Sequence, residues 1–549
     1  MERGRATTLR AASGADVREL QLLRGIDPGL AEAYLSAVGA ARTTRRSAAS
    51  VPGGQADEAR AGAAPAGPST HDAVPSLDGL LSAIRGLPGL ADFALGQPPA
   101  TAELRATLRP GQALVYLIAH PLGCCALVIT PAASPVPVVP VDLPSTDGAR
   151  LLTLILGIGR RADGSPDGLT PGRPRAGEGL LAGPGADFRL PRFRRVLRKV
   201  LAEIGRTVVE PLSHELLANG TTDLVIVPCG LLPAFAWHAA TWRTRGRTIS
   251  LPDVLETVSY APSAGAWSAA RKRVERLGEQ PPFLVGLANP SASRPPLPGA
   301  EAELRHIVTR FPGRRSAVAY GPQATGGFLL DQLPRATHLH LGCHGSMSYD
   351  SIDSASLSLA DAERLDMAGI RRLAGEGLRL VVVAACVSGA VNVILQPEES
   401  HALTIGFMHA GAAGVLGALW PIPDLPTTLF ITRFYEELTG GSGAEPALAL
   451  ARTQRWMRQL TSADVRRYVG ERPALAALPG RGRLRGAVQG TAPGGRRLAR
   501  TRTLPRRRPF AAAEYWVASF TSKDSGCRCL WTAVRTQMAT QVSMRVEGG

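Results

Sequence analysis

The chain has 549 residues, 45% of them hydrophobic and 19% charged, with a formal net charge of +17. That length allows two or three domains and that apolar fraction builds sizeable cores, which excludes a wholly disordered chain. The charge is not spread over a nucleic-acid-binding face: ten arginines and no acid fall between Pro473 and Arg508, so +10 of the +17 lies in one 36-residue segment.

The N-terminal MERGRATTLRAASGADV contains no apolar run, so no secretory leader is expected. Seven cysteines (124, 125, 229, 343, 386, 527 and 529) are an odd number without regular spacing, which fits reduced thiols in a cytoplasm rather than a disulfide framework. Residues 1–47 read as a short helical lead-in, with stretches at Val17–Leu23 and Pro28–Ala41 and no 34-residue repeat. Residues 48–71, rich in Ala, Gly, Pro and Ser, read as a flexible linker.

Residues 72–280 form a first α/β half. A helix is expected over Ser76–Leu95, then strands at Ala113–Ala119 and Cys125–Thr130 joined by the turn HPLG. Arg160–Gly185 reads as loop. Pro191–Leu217 reads as a helix, with Phe193, Leu197, Val200, Leu201, Ile204 and Val208 on one face. A buried strand at Leu224–Val227 ends at Pro228-Cys229-Gly230; no His-Gly pair precedes it, so Cys229 reads as structural.

Residues 281–520 alternate strand and helix more cleanly. Strands are expected at Phe283–Ala288, Ser316–Ala319, His338–Gly342, Leu378–Ala385 and Val415–Leu419, with a closing strand at Ala512–Phe520. Helices are expected at Ala300–Phe311, Gly326–Leu333, Asp366–Ala374, Glu398–His409, Leu425–Leu438 and Ala444–Leu460. Such alternation predicts a mostly parallel sheet flanked by helices. The apolar runs Leu378–Leu395 and Leu403–Ile422 approach twenty residues, but Arg379, Asn392, His409 and several glycines interrupt them, so no membrane segment is expected. The Arg-rich 473–508 interrupts this half. Lacking a period and any aromatic between Tyr468 and Phe510, it reads as a disordered insertion, and it is the sole candidate for a nucleic-acid partner. Residues 521–549 are an atypical tail.

The chemistry concentrates between Ala336 and Gly389. Two short apolar runs end at Cys343-His344-Gly345 and at Cys386, with a polar turn and a helical stretch between them: a βαβ unit with parallel strands. Reactive groups of such sheets gather at the carboxyl ends of the strands, where His344 and Cys386 stand. An imidazole within reach makes a thiol a thiolate at neutral pH. Glycines at 345 and 389 allow turns that leave backbone N–H groups for a ligand. His338, His340, Cys343 and His344 cluster, but 343 faces away from the other three on a strand and no CxxC accompanies them, so neither metal nor cofactor is expected. Cys343 should face the core, and His340 reads as a core histidine.

The pieces HLHLGCHG (His338–Gly345), LRLVVVAACVSG (Leu378–Gly389), GFMHAGAAGVLGALWPIPD (Gly406–Asp424), FYEEL (Phe434–Leu438) and ALALARTQRWM (Ala447–Met457) resemble the CHAT domain, a branch of the caspase-like cysteine peptidases. Weaker likeness covers LVIVPCGLLPAFAWHA (Leu224–Ala239), VSYAPS (Val258–Ser263), LANPSAS with LPGAEAEL (Leu287–Leu304) and FAAAEYWVASF (Phe510–Phe520). The resemblance implies a caspase-like catalytic half preceded by a degenerate companion. It implies an endopeptidase with His344 as general base and Cys386 as nucleophile, and with the Gly345 and Cys386 N–H groups holding the oxyanion. It requires no third orienting residue. The implied partners are a protein substrate and an activating protein, in bacterial signalling or defence. Asp353, Glu398, Glu399 and Asp424 are the carboxylates expected to rim the crevice for a basic substrate side chain, or else to cap helices. The family usually has an acid directly after the cysteine, where this chain has Val387. A catalytically silent module for protein–protein interaction is the alternative.

Overall fold

The computed structural model describes residues 17–36, 80, 83, 84, 86, 87, 90, 100–120, 122–156, 180, 191–278, 280–289, 295–311, 313, 315–347, 355–371, 373, 375, 377–390, 402–440, 444–478 and 518–520. The chain divides into two units, 1–98 and 99–549. In the first, helices α1 (Val17–Ile26) and α2 (28–36) bury Leu23, Ala31 and Tyr34 together with Ile84 and Leu90. Asp27 Oδ1 accepts the Leu30 N–H at 2.9 Å, a side-chain cap that starts α2. Most of the expected helix at Ser76–Leu95 and all of the linker lie outside the described residues.

The second unit opens with α3 (Thr101–Thr107) and a meander of β1 (Gln112–His120), β2 (Gly123–Ile129) and β3 (Val138–Leu143), paired antiparallel. After α4 (Gly148–Leu156) comes α5 (Pro191–Ile204), whose Val196, Leu197, Val200, Leu201 and Ile204 are buried at helical spacing. The expected helix to Leu217 is not one regular rod. A wider turn at Gly205–Val209 separates α5 from α6 (Glu210–Ala218). Gly205 is needed there, because a Cβ would fall on the Thr241 backbone. Strand β4 (Asp223–Pro228) lies parallel to β1. A hairpin β5 (Thr241–Thr244) and β6 (Arg247–Ser250) follows, then β7 (Thr257–Tyr260) parallel to β4, and α7 (Ala264–Leu277). The first sheet has the order β3-β2-β1-β4-β7.

The second sheet is built from β8 (Leu284–Ala288), α8 (Pro298–Val308), β9 (Ser316–Tyr320), α9 (Gly326–Gln332) and β10 (His338–Gly342). A ribbon of β11 (Gly345–Ser346), β12 (Ser356–Ser358) and β13 (Arg364–Asp366) then precedes α10 (Met367–Arg371) and β14 (Leu380–Val383). There follow α11 (Leu403–His409), β15 (Gly414–Ala418), α12 (Asp424–Thr439), α13 (Pro446–Gln459), α14 (Ser462–Gly470) and β16 (Ala518–Phe520). The order is β16-β15-β14-β10-β8-β9, parallel except for β16. Every residue of β8, β10, β14 and β15 is buried, as a sheet covered on both faces requires. The fold class is therefore the mostly parallel, helix-flanked α/β arrangement expected.

One core runs through both sheets, joining Val115, Leu224 and Trp237 to Leu284, Val382 and Phe434. Ion pairs add to it: Arg109 grips Glu445 with both Nη atoms, at 2.7 and 3.1 Å, and Arg458 reaches Asp253 at 2.7 Å. Within the Arg-rich stretch, Pro473–Ala476 is a turn of helix with Leu475 buried, contrary to disorder from its first residue; residues 479–517 and 521–549 lie outside the description. Among the described residues no helix is long and apolar enough to cross a membrane.

Candidate active site

The parallel pairing of β10 with β14 brings two chain ends to one rim of the sheet. Pairing runs from His338 opposite Leu380 to Leu341 opposite Val383, so His344 and Cys386 each stand three residues beyond the last ladder pair. Gly345 shows how close the two connections come: a Cβ on it would fall on the Cys386 carbonyl oxygen. Only glycine permits that approach.

Gly345 is not part of a tight turn, as expected, but a strand residue opposite Leu357. The Ser358 N–H donates to His344 O at 2.9 Å, so 344 and 358 are the hydrogen-bonded pair of this antiparallel ribbon. The Gly345 N–H then points off the other edge. His344, half-buried, holds its Nε2 2.8 Å from the Pro295 carbonyl oxygen. A carbonyl only accepts, so Nε2 carries the proton and, in the neutral ring, the lone pair sits on Nδ1. The group that holds this imidazole is the Pro295 carbonyl. It is a main-chain oxygen, which leaves no mark in a pattern of side chains.

Cys386 is half-buried in the turn after β14, with Sγ 3.7 Å from Ile422 O. Ser388 pins that turn to β15. Its hydroxyl is fully buried, accepts the Ala418 N–H at 3.0 Å and has Val383 O and Ala385 O within 3.1 Å, while Gly389 N–H donates to Ala418 O at 2.8 Å. Val387 sits at φ +50°, a left-handed conformation that a β-branched residue adopts only under strain.

Asp424, expected to rim the crevice or to cap its own helix, stands near His344 and does not cap α12. It is the first residue of α12, and its carboxylate caps a different helix, accepting the Gly299 N–H of α8 at 2.8 Å. Burial raises its carboxyl above the ordinary value, and the Gly299 and Ala300 N–H groups and nearby His344 act to lower it. Asp353, Glu398 and Glu399 lie outside the described residues. On the ribbon, Arg364 donates to the Ser356 hydroxyl at 2.7 Å and to Ser346 at 3.3 Å; among the described residues it meets no carboxylate.

Two neighbours are spectators. Cys343 is buried at 3% exposure, and burial with nearby Cys386 pushes its thiol up to about 12, so it stays protonated. His340 is a core residue, as expected: fully buried, it lies 3.2 Å from Glu303 Oε1 and packs edge-on against Tyr435. Burial brings the imidazole down to about 3 and lifts the Glu303 carboxyl well above the carboxylate range, an effect to which Asp424 adds, so the pair is neutral. Among the described residues no three His, Cys, Asp or Glu side chains are placed to hold a metal.

Residues 198–523, more than half of the chain, match the CHAT domain family. No curated protein sequence matches. Among solved structures the chain is similar to separase in the Saccharomyces cerevisiae separase–securin complex, with 11% identity and a TM-score of 0.40. That likeness covers 64% of this chain and 29% of the separase chain, so the chain spans less than a third of that relative. It is also similar to the Arg-specific cysteine proteinase gingipain R, with 11% identity, a TM-score of 0.32, and coverage of 52% of this chain and 65% of that one.

Proposed function

Because the chain belongs to the CHAT domain family, we propose that it is a caspase-like cysteine endopeptidase that cuts a protein partner through Cys386 and His344. The observation that carries this reading is the packing of Gly345 on the Cys386 carbonyl beside an imidazole whose Nε2 is already engaged by Pro295.

In the proposed mechanism, Nδ1 of His344 takes the Cys386 proton and the thiolate sulfur attacks a peptide carbonyl carbon. The Pro295 oxygen keeps its Nε2–H bond and favours the imidazolium, because a hydrogen bond to a charged donor is the stronger one. The tetrahedral oxygen takes hydrogen bonds from the Gly345 and Cys386 N–H groups. The C–N bond breaks as His344 returns its proton to the leaving amine, giving a thioester and a free amino terminus. Water, deprotonated by His344, then hydrolyses the thioester and restores the thiol.

The substrate reading rests on the carboxylates that follow the strand ends in the sequence. Asp353, Glu398, Glu399 and Asp424 are the carboxylates we propose for a basic substrate side chain, Asp424 with one oxygen already accepting from α8. We further propose action in the cytoplasm, gated by an activating protein partner.

The test is labelling with a cysteine-directed peptidyl electrophile at neutral pH, in wild type, Cys386→Ala and His344→Ala. Single-site labelling at Cys386, lost in both variants, is the expected result; Cys343, protonated up to about 12, stays unlabelled. Labelling spread over several cysteines and indifferent to His344 would overturn the reading in favour of a silent interaction module.

A further inference from the structure

The Pro295 carbonyl can orient His344 only if the segment carrying it is itself held. Pro295 lies between the end of β8 and the start of α8, and among the described residues the Asn289 side chain bridges the two ends of that connection. Asn289 follows the last residue of β8 and sits at φ +52°, a left-handed conformation that asparagine tolerates. Its N–H donates to Gly342 O, the last residue of β10 and two before His344, at 2.8 Å. Its Oδ1 accepts the Leu297 N–H at 2.8 Å, and its Nδ2 donates to Glu301 Oε1 at 2.7 Å. The returning end of the connection is thus fixed at Leu297, two residues past Pro295. Asp424 holds the next turn at Gly299.

We propose that Asn289 is a positioning residue for the base: with Glu301 as its acceptor, it sets the Pro295 carbonyl against His344 Nε2 and so keeps the lone pair on Nδ1. The proposal rests on the dyad reading given above. Asn289 touches neither Cys386 nor any reacting atom in this arrangement. It acts through a backbone oxygen, and an amide is required because it must accept from Leu297 and donate to Glu301 at once. Aspartate has the same shape and tolerates the same φ, but it would face Glu301 with a second carboxylate. Exchanging the pair, Asn289→Asp with Glu301→Gln, restores one donor and one acceptor across the gap.

The readout is the rate of iodoacetamide alkylation at Cys386 against pH, in the full chain, with the modified cysteine located by peptide mapping. It needs no knowledge of the substrate. Among the described residues, Asp424 near His344, Cys343 near Cys386 and Arg364 on the ribbon are unchanged in every variant, and Arg305, 3.8 Å from Glu301, stays in place. In wild type, alkylation should persist well below the ordinary thiol range near 8.5. Asn289→Asp should slow neutral-pH alkylation about tenfold and move the midpoint up by about one pH unit. Glu301→Gln alone should leave the profile in place, since its amide oxygen still accepts from Asn289. The double variant should return to within about threefold of wild type, a rescue that follows from re-pairing the two groups. Should Asn289→Asp fail to fold, Asn289→Gly keeps the left-handed backbone without the side chain and should show the same upward shift. An unshifted profile in Asn289→Asp or Asn289→Gly, beside a His344→Ala profile that moves, overturns the positioning role while leaving the dyad intact. So does a folded double variant that stays as slow as Asn289→Asp. A profile that His344→Ala does not move overturns the dyad reading, and the positioning role with it.

Discussion

Cys229 and Cys386 occupy nearly the same local structure in the two sheets. Each follows a parallel strand with neighbours on both sides, and each is followed by a left-handed residue, Gly230 at φ +60° and Val387 at φ +50°. What separates them is the adjacent strand. Beside β4, β1 runs on into the β2 hairpin, so its terminal His120 pairs with Gly123. Beside β14, β10 opens into the connection that carries His344. Cys229 is buried, with Sγ 3.7 Å from Val227 O of its own strand, whereas Cys386 is half-buried. The strand, the cysteine and the left-handed turn are common to both; only the topology of the neighbouring strand brings a histidine-bearing connection beside the second cysteine.

The sharpest way to break this comparison is to delete both thiols. Cys386→Ala should lower peptide hydrolysis by about 10⁴-fold or more, while Cys229→Ala should change it less than about threefold. A large loss from Cys229→Ala would end the asymmetry. Gly345→Ala comes next: its Cβ lands on the Cys386 carbonyl, and displacing that carbonyl should cost about 10²-fold in kcat/KM.

Acid offers a third comparison. Burial brings His238 in the first sheet's half, and His338 and His340 on β10, down to about 3, with Arg379 adding to the effect at His338. Between about 3 and the ordinary 6.5 only the unfolded chain takes up these protons, so stability falls as pH drops through that window. The loss is up to about 1.4 kcal/mol per pH unit per histidine. The Glu303 carboxyl, held protonated beside His340, has the opposite slope, because there it is the folded chain that keeps the extra proton, so the pair largely cancels. His238 and His338 then carry the effect: His238→Gln and His338→Gln should each flatten the loss of stability between pH 7 and 5 in denaturant titrations, and an unchanged slope in both would contradict it. The smallest effect concerns the left-handed residues: Val387→Gly should stabilise by about 1 kcal/mol and Gly230→Val destabilise by a similar amount in denaturant titrations.

Much of the second sheet is legible in the sequence because its central strands, apart from the two histidines of β10, are apolar, and every residue in them is buried. The first sheet is less so. β3 (VVPVDL) is an edge strand holding a proline and half-exposed positions, and β5 and β6 alternate polar residues around Arg245-Gly246, so neither announces itself by hydrophobicity. The ribbon β11–β13 escapes for another reason: strands of two or three residues are too short to show a period. At the site, His344 and Cys386 could be named from residue type and position after a strand. Pro295 could not, since its contribution is a carbonyl. Asp424 was visible as a helix-start acid, but that it caps α8 depends on a contact between residues 125 apart. The left-handed φ at 387 also gives the family's usual acid there a conformational meaning, because aspartate tolerates this backbone better than valine.

The groups around Cys386 come from connections after four adjacent strands: Asn289 and Pro295 after β8, His344 after β10, Cys386 after β14 and Asp424 after β15. None of these connections can be aligned before its strand has docked, and parallel docking of this kind is slow because long loops must close first. On the proposed dyad, alkylation of Cys386 at low pH is therefore a clock for assembly. In refolding from denaturant, helical signal should return first, and the fast-reacting Cys386 only with the last of the four strands.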